Sequence, residues 1–148
     1  MTKALVILAE GFEELEAAAP ITILRRAKVE VTTAGLAPGP VRGARGLTFV
    51  PDTTLDAVAD QPFDAVVLPG GIPGAPNLKA IALVGRVVRE AADRGAVVGA
   101  ICAGPSVLAA LGLLAGKRAT SHSTVRDELA FGPQHREHRP ARGQQQVR

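Results

Sequence analysis

The chain has 148 residues, 47% of them hydrophobic and 21% charged, which suits one domain with a buried core and excludes a disordered chain. No apolar run approaches the ~18 residues of a membrane-spanning helix, so no membrane partner is expected. The net charge of +3 sits in the last residues: residues 1–132 carry 13 basic and 13 acidic side chains, residues 133–148 four arginines and one glutamate, and with no Trp or Tyr and only four Phe, nucleic acid is not an expected partner.

Along the chain, Ala4–Ala9 is a short apolar run that meets Glu10. It reads as a first strand and not as a signal peptide. A helix is expected from roughly Glu13 to Ala27, with a kink at Pro20, which removes the N–H that would bond the carbonyl of Glu16. Glu13 and Glu14 read as carboxylates favouring a helix N-terminus. Glu16, beside Ala17–Ala19, is either a third such carboxylate or points inward.

Val29–Ala34 reads as a second strand. Pro38–Pro51 is rich in glycine and proline and predicts a small hairpin excursion through Leu47–Val50. Asp52-Thr-Thr-Leu-Asp offers a helix cap and a short helix before a third strand, Ala65–Leu68. Asn77 follows Pro76 and is placed to cap a helix. In that helix Ile81, Val84, Val87, Val88 and Ala91 recur at helical spacing, and Gly95 ends it. Ala96–Ile101 reads as a fourth strand. Such alternation predicts an α/β domain with a mostly parallel sheet over residues 1–132. From Pro133 to Arg148 the only apolar residues are Ala141 and Val147, which predicts a disordered or loosely attached tail.

The one cysteine, Cys102, excludes an internal disulfide framework and fits a reducing, cytoplasmic setting. A strand runs straight into it, Gly104 permits a tight turn, and Pro105 suits the first position of a helix. Cys102 thus stands at the carboxyl end of a strand, where ligands bind in open α/β sheets. The helix N-terminus behind it is expected to lower the thiol pKa. The plainer alternative is a small buried hydrophobe; the turn favours the reactive reading. Leu68-Pro69-Gly70-Gly71 ends another strand in a similar way. Its glycines serve either a turn or a pocket of N–H groups able to hold an oxyanion.

Other motifs fail on spacing. No G-x-G-x-x-G follows a strand, and Gly112 to Arg118 has the wrong glycine spacing for a P-loop, with Arg where Ser or Thr is needed. His135 and His138 have H-x-x-H spacing, but in a polar tail with no further ligands, so no metal site is expected.

Together, Ala4–Ala9, Gly11–Glu16, Asp64–Gly71 and Ala100–Pro105 resemble the ThiJ/PfpI superfamily, and within it the clade of the parkinsonism-associated deglycase. The resemblance implies a flavodoxin-like three-layer sandwich and, in complete members, a homodimer. It implies that Cys102 is a nucleophilic thiolate on a strained elbow and that Glu16 is a protonated carboxyl bonded to its sulfur. Gly70, Gly71 and Ala103 become the expected oxyanion and substrate positions. Ala103 also stands where the protease branch has its triad histidine, which argues against a peptidase. The expected activity is a cofactor-free glyoxalase or deglycase reaction on small 2-oxoaldehydes or their early adducts. The alternatives are a redox sensor or chaperone that uses an oxidisable Cys102, and an inactive member. Members of the clade continue with a histidine near the cysteine, a strand and a final helix. The polar run after Gly132 is therefore read as a truncated or frame-shifted end, and His122, His135 and His138 stay open as candidates for that histidine.

Overall fold

The computed structural model describes residues 1–129. Its centre is β1 (Lys3–Leu8), in which every residue from Ala4 to Leu8 is inaccessible to solvent. A strand apolar on both faces needs cover on both, and successive side chains point opposite ways. Leu5 and Ile7 join one core cluster, and Ala4, Val6 and Leu8 the other.

The sheet is completed by β2 (Glu30–Gly35), β5 (Thr53–Thr54), β6 (Ala65–Leu68) and β7 (Val97–Ala100). The strand order is β5-β2-β1-β6-β7, and each neighbouring pair is parallel. The chain builds β1 and β2, then crosses back to place β6 on the far side of β1. The carboxyl ends of β1, β6 and β7 therefore converge at the crevice where such sheets hold ligands.

One face is covered by α2 (Leu55–Val58), α3 (Gly74–Ala80), α4 (Ala82–Asp93) and α5 (Pro105–Ala110). Leu55, Leu78, Val84, Val88 and Val107 pack there on Leu5, Ile7, Val66 and Leu68. The other face takes α1 (Glu14–Arg26) through Ala17 and Ile21, with Phe12 and Val41. Here lies the expected hairpin, β3 (Val41–Arg42) paired antiparallel with β4 (Thr48–Phe49), whose Phe49 ring meets Phe12 edge-on at 5.0 Å. A one-turn 3₁₀ helix (Ser123–Val125) leads into α6 (Arg126–Leu129), which sets Val125 and Leu129 against Ala75 and Ala103. The result is the expected flavodoxin-like three-layer α/β sandwich.

Two local expectations are corrected. Asn77 does not cap the helix that carries Val84 and Val88. The chain is already helical from Gly74, because Pro76 falls in the first turn, where no N–H is required. The residue at the break before α4 is Ile81, with no side-chain capping bond. Asp52 does not cap α2; its Oδ2 accepts from Thr33 N, Thr33 Oγ1 and an Arg25 guanidinium N–H at 2.8–2.9 Å. Glu14 opens α1, in keeping with the expected helix N-terminus, and is also 3% exposed, under the hairpin. Pro20 is accommodated within one continuous α1. The tail from Pro133 to Arg148, with His135 and His138, lies outside the described residues.

Candidate active site

Cys102 is separated from the end of β7 by one residue, Ile101, and has φ at +60°, a left-handed conformation that costs a non-glycine residue about 1–3 kcal/mol. Its neighbours hold it there. The Cys102 carbonyl accepts the His122 N–H at 2.7 Å, and the Ile101 carbonyl accepts the Gly104 N–H at 2.8 Å. Pro105 opens α5, and the Ser106 hydroxyl donates to the Ala103 carbonyl. The strand therefore turns sharply into the helix and leaves the half-buried thiol at the sheet's carboxyl edge.

Glu16 approaches from α1, and its carboxyl lies within hydrogen-bonding reach of the Cys102 thiol. The Glu13 carboxylate caps α1 by accepting the Glu16 N–H at 2.9 Å, so Glu16 sits in the first helical turn and faces the sheet end. Gly70, at the end of β6, donates its N–H to Glu16 Oε2 at 2.8 Å. Sequence reading assigns Gly70 and Gly71 one shared role, but the N–H of Gly70 is taken up by Glu16. The N–H groups of Gly71 and Ala103 are the ones directed at the sulfur.

The closeness of this packing explains the glycine at 70. A Cβ on Gly70 would lie 2.6 Å from Glu16 Oε2 and 2.8 Å from both Ala103 N and Cys102 Cβ. At Gly71, with φ +94°, a Cβ would fall 2.5 Å from both Glu13 N and Gly11 O.

The electrostatics correct one expectation. Burial pushes the Cys102 thiol pKa up, and the Glu16 carboxylate raises it further, both by accepting the thiol's hydrogen bond and by its charge. The Ala103 and Gly71 N–H groups pull it down without reversing the direction. The helix expected to lower it has only six residues, and its dipole is correspondingly small. The arrangement is a thiol paired with a base, beside two converging N–H donors. Among the described residues no group of three or more His, Cys, Asp or Glu side chains is placed to hold a metal.

Of the three histidines left open, His122 falls among the described residues, and its backbone N–H meets the Cys102 carbonyl. Nothing in its local sequence marks it, since the contact arises only where the chain returns to the end of β7. Its ring Nδ1 lies 2.9 Å from Thr124 Oγ1 and accepts the Thr124 N–H at 3.3 Å, which caps the 3₁₀ turn. Lys79 of α3 pairs with Glu128 and ties α6 back to the site.

A parallel α/β sheet with a strained strand–cysteine–helix elbow is the architecture of nucleophile-bearing α/β proteins. The DJ-1/PfpI family model matches residues 2–145, and the chain belongs to the DJ-1/PfpI family. The crystal structure of DJ-1beta from Drosophila melanogaster superposes with a TM-score of 0.85 at 42% identity, covering 88% of this chain and 71% of that one. A glutathione-independent glyoxalase of Caenorhabditis elegans is 38% identical over 130 residues, which span 87% of this chain and 69% of the relative. A deglycase of Thermococcus kodakarensis is 36% identical over 132 residues, 86% of this chain and 76% of the relative. No described helix is long and apolar enough to cross a membrane.

Proposed function

We propose that this protein is a cysteine-dependent glyoxalase or deglycase acting on small 2-oxoaldehydes such as methylglyoxal, or on their early adducts. The observation that carries this reading is the convergence of Glu16, Gly71 N–H and Ala103 N–H on the Cys102 sulfur. Relatives named glyoxalase and deglycase support the choice of reaction.

The thiol is the resting form, its proton directed at Glu16. As sulfur attacks the aldehyde carbon, the C–S bond forms, the carbonyl π bond breaks onto oxygen, and the thiol proton passes to Glu16. The Gly71 and Ala103 N–H groups stabilise the developing oxyanion. Glu16 returns the proton to that oxygen, giving a hemithioacetal. The carbinol carbon then loses its proton and the adjacent carbonyl carbon gains one, while the hydroxyl proton passes to the former ketone oxygen. This internal rearrangement needs no outside oxidant and yields a thioester. Water cleaves the thioester to a 2-hydroxy acid and frees the thiol. For an early adduct, sulfur instead displaces the amine or thiol at the carbinol carbon: the C–S bond forms as the carbon–nitrogen or carbon–sulfur bond of the adduct breaks, and the thiol proton passes through Glu16 to the departing group, giving the same hemithioacetal.

The test is lactate formation from methylglyoxal, followed by NMR. The expected result is turnover by the wild type and none by Cys102→Ser. Equal turnover by the two proteins would remove Cys102 from the reaction. A second reading, a redox sensor or chaperone, is favoured by the same two N–H donors, which can also hold the oxygens of an oxidised sulfur. It predicts a peroxide-dependent mass gain on Cys102 with no aldehyde turnover.

A further inference from the structure

The carboxyl edge of the sheet carries a second concavity that includes neither Cys102, Glu16 nor Gly70. A cleft of about 310 Å³ opens at the ends of β1 and β2, between residues 36–41 and the end of α3. Ligand pockets run from roughly 300 to 1,000 Å³, so this one has room for a single side chain and not for a nucleotide. Its walls are apolar, formed by residues such as Leu8, Leu36, Pro38 and Ile81.

Two polar side chains line it, Glu10 and Asn77, and Glu10 is its one charged group. Glu10 Oε2 accepts the Arg42 N–H at 3.1 Å, and Glu10 forms no ion pair among the described residues. Asn77 donates its Nδ2 to the Glu10 carbonyl at 2.8 Å, which fixes the amide's orientation and leaves Oδ1 as an acceptor. Pro38 and Pro40, on the opposite wall, have no N–H to offer. An apolar slot equipped with acceptors and a carboxylate, and poor in donors, fits a cation on an aliphatic stem.

The cleft also adjoins the thiol site. Gly11 follows Glu10, and its carbonyl accepts the Gly74 N–H at 3.1 Å on the side where Gly71 packs. The same turn is thus a wall of the cleft and the back of the N–H pair. From the end of β1 to that of β7 is two strand spacings, about 10 Å, or about three residues of extended polypeptide.

We infer that this cleft is a subsite for a lysine or arginine side chain of a polypeptide substrate, about three residues from the side chain whose adduct reaches Cys102. The polypeptide part rests on the deglycase reading above; the preference for a cation does not.

The test uses two blocked pentapeptides, Ser-Gly-Gly-Lys-Gly and its norleucine counterpart, titrated into isotope-labelled protein. The lysine peptide is expected to bind about three- to fivefold more tightly, shifting the amide resonances of residues 36–41 and 77–81. Glu10→Gln keeps the Arg42 contact and is expected to erase the preference, as is about 0.5 M salt. Butylammonium alone is expected to shift the same resonances at much higher concentration. Equal binding of the two peptides, shifts elsewhere, or a preference that survives Glu10→Gln would overturn the subsite. Butylammonium binding as tightly as the peptide would mark a small-amine site and overturn the polypeptide assignment. Methylglyoxal turnover is measured on the same samples. Lysine preference without turnover removes the proposed activity and keeps the subsite; turnover without preference does the reverse.

Discussion

At Cys102 one acid and one thiol compete for a proton, and Glu16 decides the outcome. Its carboxylate raises the thiol pKa, so replacing it by neutral glutamine is expected to shift the pH midpoint of Cys102 alkylation downward. Aldehyde turnover is nonetheless expected to fall by about 10²-fold or more, since glutamine cannot take the thiol proton. Intact-mass spectrometry after iodoacetamide reads the first change and lactate formation the second. A midpoint that rises in Glu16→Gln would mean that Glu16 already holds a proton when the thiol ionises. Gly70→Ala tests the same geometry sterically, because its Cβ would fall 2.6 Å from Glu16 Oε2. Turnover is expected to drop with the fold intact by circular dichroism. Cys102 was legible from the residues alone, because strand, glycine and proline signals bracket it. The position of Glu16 opposite it was not, because 86 residues separate them and only the sheet order unites them.

The hairpin is where a charge inside the fold sets the stability of an element. Glu14 Oε1 accepts the Arg45 N–H at 2.7 Å and the Leu47 N–H at 3.2 Å, while Oε2 is buried without a partner among the described residues. Burial raises the Glu14 pKa, but the backbone N–H groups and the charge of Arg45 bring it below the ordinary 4.5. A lowered folded-state pKa means the carboxylate stabilises the fold fully above pH 4.5, and that contribution fades as the pH falls through the lower folded value. Glu14→Ala is expected to cost about 1–3 kcal/mol by urea unfolding at neutral pH, with faster amide exchange at Arg45 and Leu47. The difference between wild type and variant is expected to shrink below pH 4.5. A pH-independent difference would show that Glu14 acts by packing alone. The sequence indicates a hairpin between Pro38 and Pro51 through its turn residues, yet hides its anchor. Glu14 reads as one of three acids at a helix start, and its burial follows from the hairpin folding over it. Asp52 reads as a helix cap for a similar reason: its actual partners Thr33 and Arg25 are distant in sequence and meet it only when β2 and α1 pack.

Two apolar surfaces of the whole molecule lead to opposite expectations for assembly. On one, Leu15 of α1 is 76% exposed and Leu47 of the hairpin 61%, and the bonds from Glu14 to Arg45 and Leu47 hold the two neighbourhoods together. On the other, β7 is one of the two edge strands of the described sheet and bears Val97 at 70% exposure, with no charged residue between Ala96 and Ile101 to discourage edge pairing. The homodimer implied by the resemblance needs a surface that is self-complementary about a twofold axis and buries about 800 Å² on each partner. A helix face joined to a rigid hairpin offers that breadth, whereas an edge of four residues does not. Leu15→Lys is therefore expected to raise the dimer dissociation constant by at least tenfold in sedimentation equilibrium, while Val97→Lys leaves it unchanged. Both positions are exposed, so neither change is expected to move the unfolding free energy of the monomer by more than about 0.5 kcal/mol. The reverse pattern, with Val97→Lys dissociating the protein and Leu15→Lys silent, would place the contact at the sheet edge. Because Glu14 holds the hairpin against α1, Glu14→Ala is expected to weaken the dimer along with the fold, linking the buried carboxylate to assembly as well as to stability.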